Sequence, residues 1–176
     1  MSFLDKLQEI NTIILDVDGV LTDSSVYIQE DGILMRKMSV RDGFAMKYAI
    51  DNGYRIIIIT GGKSQGVIKR LEDLGVTEIY SGIENKLETI NELVEIHNLD
   101  LSRTAYMGDD FPDYEPLRLV CLSTCPSNAI PEIRAICQYI SPLKGGQGCV
   151  RDLIEKIMKV QKKWVETIVP LNKDTK

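Results

Sequence analysis

The stretch "IILDVDGVLTD", Ile13–Asp23, sets an apolar run directly against Asp16, Asp18 and Asp23. Isoleucines in succession read as a strand buried on both faces, the kind found in a parallel sheet covered by helices. The run ends in charge, and in such sheets ligands gather beyond the carboxyl ends of the strands. In a regular strand Asp16 and Asp18, two residues apart, would line one face. The chain is expected to leave regular β geometry just after Asp16, and Gly19 is the residue that permits the turn.

Outward from this stretch, short β-rich runs alternate with helical patterns of about a dozen residues, the signature of βα units. Strands are expected near 12–17, 55–60, 77–80, 103–108, 119–122 and 137–140. Between Asn85 and Asn98, Leu87, Ile90, Leu93, Val94 and Ile96 fall largely at helical spacing, with Glu88, Glu92 and Glu95 on the other side. The spacing of Leu153, Ile154, Ile157 and Met158 predicts a second such helix near Val150. One segment breaks the alternation: about residues 25–39, "SVYIQEDGILMRKMS", where Asp31-Gly32 reads as a tight hairpin turn. Ile33 and Met35 on one face and Leu34 and Met38 on the other demand cover, from the chain's own core or from a second subunit.

At 176 residues the chain suits one domain, expected over 1–164 with a tail at 165–176, for which Trp164, Ile168, Val169 and Leu171 suggest docking. A net charge of -5 argues against a general footprint for nucleic acid or an anionic membrane. MSFLDKLQEI lacks the cationic start and apolar stretch of a secretory signal, so a cytoplasmic protein is expected. Cys121, Cys125, Cys137 and Cys149 lack paired metal-ligand spacing, and His97 is the only histidine, which favours reduced thiols over zinc.

Four features fall on the expected strand ends. Asp16 and Asp18 follow the first strand, Thr60 ends "YRIIIIT", Lys86 opens the helix after the third, and "GDDFPD", with Asp109, Asp110 and Asp113, follows the fourth. Unit charges about 4 Å apart repel by about 4 kcal/mol at an effective dielectric near 20, so converging carboxylates require protons or a cation. A hard divalent ion with oxygen ligands answers this, and Mg²⁺ suits one or two carboxylates plus water and phosphate. Thr60 offers a hydroxyl, and Gly61 and Gly62 let backbone N–H groups approach an anion closely. A lysine in a first helical turn opposes the helix dipole, so Lys86 reads as charge balance for the acidic cluster. Taken singly, an aspartate in a turn or at a helix start is ordinary, and Asp23 reads as a loop residue.

In this order and over about residues 10–160, "DVDGVLTD", "ITGG", Lys86 and "GDDFPD" resemble the four motifs of the haloacid dehalogenase superfamily phosphatases. The resemblance implies a Rossmann-like parallel α/β sheet flanked by helices, with a β-hairpin flap and no cap domain. It implies Asp16 as nucleophile, Asp18 as acid and base, Thr60 and Lys86 on the phosphoryl group, and Mg²⁺ held by Asp16, Asp109 and the Asp18 carbonyl. Asp110 and Asp113 then support the metal's ligands. The hairpin ending in "SVRDG" and the later "GGQGCVRD" are similar to the capless branch acting on sugar-acid phosphates, 3-deoxy-D-manno-octulosonate 8-phosphate ahead of the nine-carbon 2-keto-3-deoxy-nononate 9-phosphate. That branch implies a homotetramer with hairpin and tail contacts. It also implies substrate binding by Ser39, Val40, Arg41, Asp42, Gly43, Lys47, Gly61, Gly62 and Arg70, with Arg151 reaching a neighbour. Many relatives carry arginine where this chain has Gly62, which leaves Lys63 or Arg70 to compensate. Outside enzymes, the alternatives are a receiver-like phospho-acceptor or a scaffold subunit. The receiver reading lacks an aspartate at its expected third-strand position, "EIYSGIE", and the scaffold reading requires a lost motif residue.

Overall fold

The computed structural model describes residues 2–165. In chain order its elements are α1 (Phe3–Glu9), β1 (Thr12–Leu15), β2 (Tyr27–Ile28), β3 (Leu34–Met35), α2 (Val40–Asp51), β4 (Arg55–Thr60), α3 (Gln65–Asp73), β5 (Glu78–Ser81), α4 (Lys86–His97), β6 (Thr104–Met107), α5 (Tyr114–Leu119), β7 (Leu122–Cys125), α6 (Pro131–Ile136), β8 (Tyr139–Ile140) and α7 (Cys149–Val160). Six strands form one sheet in the order β5-β4-β1-β6-β7-β8, every pair parallel. The first strand of the chain lies near the centre of that sheet, with β4 and β6 on either side, so the turn after Leu15 opens beside the ends of both neighbours.

Strand alternation divides the apolar residues between two layers. Ile13, Leu15, Ile56 and Ile58 pack with Leu7 of α1, Met46 of α2, Leu71 of α3 and Leu153 and Ile157 of α7. Ile14, Ile57 and Ile59 pack with Ile90 and Leu93 of α4, Leu117 of α5 and Ile133 of α6. Both faces of β1 are therefore covered, as its uninterrupted apolar sequence requires. Asn85 starts α4 by accepting from the backbone N–H groups of Leu87 and Glu88, and left-handed Asn98 ends it.

Three strand boundaries differ from expectation by two residues or more, one of them β8, which starts at Tyr139 rather than residue 137 because Cys137 still caps α6. The first strand stops at Leu15 rather than residue 17, because the chain turns immediately into a wide helical loop over Val17–Leu21. The strand expected at 119–122 is displaced along the chain: α5 runs to Leu119, Val120 and Cys121 bend, and β7 starts at Leu122 and ends at Cys125. "RLVCL" is β-rich in composition, but Leu117 of α5 and Val120 of the bend pack into the layer with α4, which sets the strand back to Leu122.

The hairpin is real but its turn is longer than a two-residue Asp31-Gly32 turn. Tyr27 pairs with Met35 and Ile28 with Leu34, and the Gln29 N–H donates to the Ile33 carbonyl at 3.0 Å, leaving a three-residue loop. Gly32, at φ +84°, takes its left-handed position, as in three-residue hairpin loops. Tyr27, Ile28, Ile33, Leu34 and Met35 are all exposed, so the flap does not fold over its own core; Met38 at its root does pack there.

At the other end, Trp164 lies edge-on to Tyr48 and Phe44, 5.2 and 6.4 Å between centroids, and the Arg151 guanidinium sits over both Trp164 and Phe44. Arg151 also pairs with Glu155 at 3.2 Å. The expected docking residues Ile168, Val169 and Leu171 lie outside the described residues. All four cysteines are free thiols. Among the described residues no helix is long and apolar enough to cross a membrane.

Candidate active site

Beyond β1 the backbone does what two aspartates two residues apart require. Asp16 is extended at φ -76°, ψ 167°, Asp18 lies at φ -75°, ψ 114°, and Gly19 takes φ +92°. A Cβ at Gly19 would run into the Asp109 carboxylate, so this position demands glycine for both its conformation and its close approach. The Gly19 N–H is held by the Thr22 hydroxyl at 3.2 Å, and the "GGQG" segment supports the loop from outside, its Gly146 N–H donating to the Val20 carbonyl at 2.9 Å.

Oxygens of Asp16, Asp109 and Asp113 approach within 4.8 Å of one another. Lys86, 5% exposed, reaches from the start of α4 between two of them, with Nζ 2.9 Å from Asp16 Oδ1 and 2.7 Å from Asp113 Oδ1. Burial works against the charge on this amine, but Asp113 and Asp16 more than offset it and hold its pKa above the ordinary lysine range. Asp113 is saturated: the Tyr106 hydroxyl donates to Oδ1 at 2.7 Å, and the Asp109 and Asp110 N–H groups donate to Oδ2 at 3.0 and 3.4 Å. It anchors the loop and the lysine. Asp110, by contrast, spends its carboxylate on the Phe111 N–H at 2.8 Å.

Among the described residues, Asp109 Oδ1 is the buried side-chain oxygen without a hydrogen-bond partner. An orphaned carboxylate oxygen beside two further carboxylates and one lysine is an electrostatic deficit of positive charge, and an all-oxygen set suits a hard divalent cation. The residues present therefore fit such an ion. Burial first, then Asp113, pushes Asp16 up to about 7 against the pull of Lys86. Burial and then Asp16 push Asp109 up to about 7 as well.

In the folded, cation-free protein these carboxyls keep protons that an unfolded carboxyl near 3.8 has already released, so stability falls as pH rises from about 4 to about 7. A divalent cation takes the place of those protons. The rise in thermal unfolding midpoint on adding Mg²⁺ is expected to be larger at about pH 8 than at about pH 5. A midpoint indifferent to Mg²⁺ at both values would remove the cation site.

Thr60 ends β4 buried, its hydroxyl accepting from the Gly62 N–H at 3.2 Å. A Cβ at Gly62 would lie 3.4 Å from Asp18 Oδ2, 3.5 Å from Thr60 Oγ1 and 3.7 Å from Arg36 Nη2, so the absent side chain leaves room where three polar groups meet. Arg36 was not marked by any sequence signal. Its guanidinium grips Asp18 with Nε 2.6 Å from Oδ1 and Nη2 3.2 Å from Oδ2. Asp23 stands apart, paired with Lys37 at 3.1 Å, as a loop residue would.

Next to this centre a cleft of about 850 Å³ runs between the hairpin and α3, lined by Ile33, Leu34, Met35, Met38 and Val67 with the cations Arg36, Lys63 and Arg70. The expected substrate residues divide. Arg70 lines the cleft, its Nη2 2.9 Å from where a Gly43 Cβ would be, and Gly61 and Gly62 border Thr60. Ser39 caps α2 and Val40 is exposed. Arg41 lines a different groove, with Gln147 and Arg151 along α7, and Lys47 pairs with Asp51 on the surface at 3.7 Å. Asp42 is buried and accepts from the Gly148 and Arg151 N–H groups at 3.2 and 2.7 Å, so its carboxylate braces the start of α7. "SVRDG" thus splits between a helix start and a buried brace, because successive residues of a helix leave it on different faces.

Residues 75–151 match the family of haloacid dehalogenase-like hydrolases. A 3-deoxy-D-manno-octulosonate 8-phosphate phosphatase of Escherichia coli is 34% identical over 161 residues, 92% of this chain and 86% of that protein. The crystal structure of the phosphatase of that name from Yersinia pestis superposes with a TM-score of 0.88 at 31% identity, covering 91% of this chain and 86% of that one. The Moraxella catarrhalis phosphatase, solved in complex with magnesium, phosphate and KDO, superposes with a TM-score of 0.87 at 32% identity, covering 90% and 91%. With the strand-end carboxylates, the capless parallel sheet and near full-length similarity all in agreement, the chain belongs to the haloacid dehalogenase-like hydrolases, in the family of the 3-deoxy-D-manno-octulosonate 8-phosphate phosphatases.

Proposed function

We propose that this protein hydrolyses 3-deoxy-D-manno-octulosonate 8-phosphate to the free sugar acid and phosphate, with Mg²⁺ as cofactor and through a phosphorylated aspartate. The observation that carries this reading is Lys86 buried between Asp16 and Asp113 beside the unpartnered oxygen of Asp109. The eight-carbon substrate is supported by the named relatives, and the cations of the adjoining cleft, Lys63 and Arg70, suit a second anionic group on the substrate.

Asp16 is the nucleophile: one carboxylate oxygen bonds to phosphorus as the bond from phosphorus to the sugar oxygen breaks. Lys86 Nζ, 2.9 Å from Asp16, keeps that carboxylate oriented and offsets charge on the phosphoryl oxygens, to which the Thr60 hydroxyl also donates. Asp18 donates a proton to the departing sugar oxygen. The same carboxylate then takes a proton from the water that attacks the aspartyl phosphate, releasing phosphate and restoring both aspartates. Asp16 and Asp109 through their carboxylates and Asp18 through its carbonyl would hold Mg²⁺, which when bound would supply charge neutralisation and orientation of the phosphoryl group. Asp113 and Tyr106 hold Lys86 and the loop in place.

The active unit proposed is residues 1–164, working in the cytoplasm. The proposed assembly is a homotetramer, supported by the exposed apolar faces of the hairpin, Tyr27, Ile28, Ile33, Leu34 and Met35. Phosphate release measured with Mg²⁺ against eight- and nine-carbon sugar-acid phosphates tests the substrate. The eight-carbon ester is expected to lead by at least about 10-fold in kcat/KM, the scale that one extra carbon unit sets in a shaped pocket. Equally slow turnover of every ester would sink the substrate assignment and leave the phosphatase intact.

A further inference from the structure

Arg36 is out of place on its hairpin. Its neighbours Ile33, Leu34, Met35 and Lys37 are exposed, whereas the Arg36 side chain is only 10% exposed and turns back toward the strand ends. The guanidinium takes both oxygens of Asp18 in a fork-to-fork pair. It also stands where two spaces meet, in the wall of the 850 Å³ cleft with Lys63 and Arg70, and against Asp18, Thr60 and Gly62 on the other side.

This pair conflicts with the task assigned to Asp18. A general acid needs an oxygen within about 3 Å of the atom that it protonates, and both Asp18 oxygens are engaged by the guanidinium. The conflict ends only when the pair parts. A largely buried guanidinium that loses its carboxylate needs another anion, because an unpaired buried charge is costly. Arg36 itself lines the cleft, where a sugar carboxylate would lie, and its Asp18 partner is 39% exposed rather than enclosed.

We propose that Arg36 is a specificity-determining residue that exchanges partners: the carboxylate of the substrate draws the guanidinium away from Asp18, and the acid/base group is freed only when an anionic sugar occupies the cleft. The inference rests on the sugar-acid phosphate reading above. A substrate lacking the carboxylate binds through its phosphate but leaves Asp18 clamped. Selectivity then arises from the proton-transfer step as well as from binding.

The test measures kcat/KM for 3-deoxy-D-manno-octulosonate 8-phosphate and for ribose 5-phosphate, a monoester with no carboxylate, in wild type, Arg36→Ala and Arg36→Lys, all with saturating Mg²⁺. Arg36→Ala is expected to lose about 10²-fold on the sugar acid, as for loss of a charged hydrogen-bonding pair, while ribose 5-phosphate turnover rises, because Asp18 is no longer clamped. Arg36→Lys, with charge but no fork, is expected to fall between the two enzymes on both substrates. Opposite signs on the two substrates are the signature that a structural role would not produce. Equal losses on both, or a sugar-acid kcat/KM within about 3-fold of wild type in Arg36→Ala, overturn the exchange. Should wild type itself show no preference for the sugar acid, the substrate reading fails and the exchange with it; a wild-type preference that survives in Arg36→Ala overturns the exchange alone.

Discussion

Asp16→Asn is expected to lower kcat by at least about 10⁴-fold with Mg²⁺ saturating, the scale on which removal of a covalent nucleophile acts. The amide matches the carboxylate in shape, so the buried packing at the end of β1 stays intact, but its nitrogen and oxygen cannot form the aspartyl phosphate. The electrostatic consequence runs the other way. Asp16 is one of three carboxylates crowded within 4.8 Å, and burial and Asp113 already disfavour its charge. Its neutral replacement is therefore expected to leave the cation-free thermal midpoint near pH 7 unchanged or higher, while the Mg²⁺-induced rise shrinks. Phosphate release and calorimetric unfolding on the same preparation check both halves. Residual turnover above about 1% of wild type would transfer the attack from Asp16 to an activated water.

Lys86→Met carries the second large effect, and it strikes stability as well as rate. The methionine fills a similar volume but leaves Asp16 and Asp113 without the cation that sits 2.9 and 2.7 Å from them. Breaking a buried ion pair by removing one partner costs about 3–5 kcal/mol, a large share of the ~5–15 kcal/mol that keeps a domain folded. For a chain of this size that is a fall in midpoint of about 6–20 °C. Turnover is expected to fall by about 10²–10³-fold, as for the loss of one preorganised donor to developing charge. Two conditions should recover part of the stability: lower pH, because the carboxyls then hold protons, and Mg²⁺, because it supplies the missing charge. Lys86→Arg is not expected to restore wild-type behaviour, since a planar guanidinium has no room at a site 5% exposed. A denaturation free energy within about 1 kcal/mol of wild type would show that Lys86 is not the counter-charge of the cluster.

Much of the architecture was legible along the chain because it is written in local periodicity. β4 runs Arg55–Thr60 as the apolar stretch predicts, and α4 runs Lys86–His97 between the two asparagines that bound it. The acidic cluster was legible for a related reason: in a parallel sheet, residues at the ends of adjacent strands converge whatever the helices between them do, so Asp16 and Asp109 had to approach. Where composition misled, packing overrode it, as at residues 119–121, which end α5 and bend ahead of β7. Tyr106 carried a faint signal, a phenol hydroxyl three residues before Asp109 near the end of its strand, and the structure puts it on Asp113.

The sequence by itself determined the parallel sheet, the burial of β1 on both faces, the turn that Gly19 permits and the need for positive charge among the strand-end aspartates. These follow from alternation, helical spacing and Coulomb repulsion, which act between residues whose separation the secondary structure already sets. Only the tertiary structure decided which side chain meets which. It turned Asp42 inward to brace α7, sent Arg41 and Lys47 away from the cleft, made Asp113 the anchor of Lys86, and brought Arg36 across from the hairpin to Asp18. Such contacts depend on how the hairpin and helices pack against the sheet, and a side chain several ångströms long finds its partner only after the backbone that carries it has been placed.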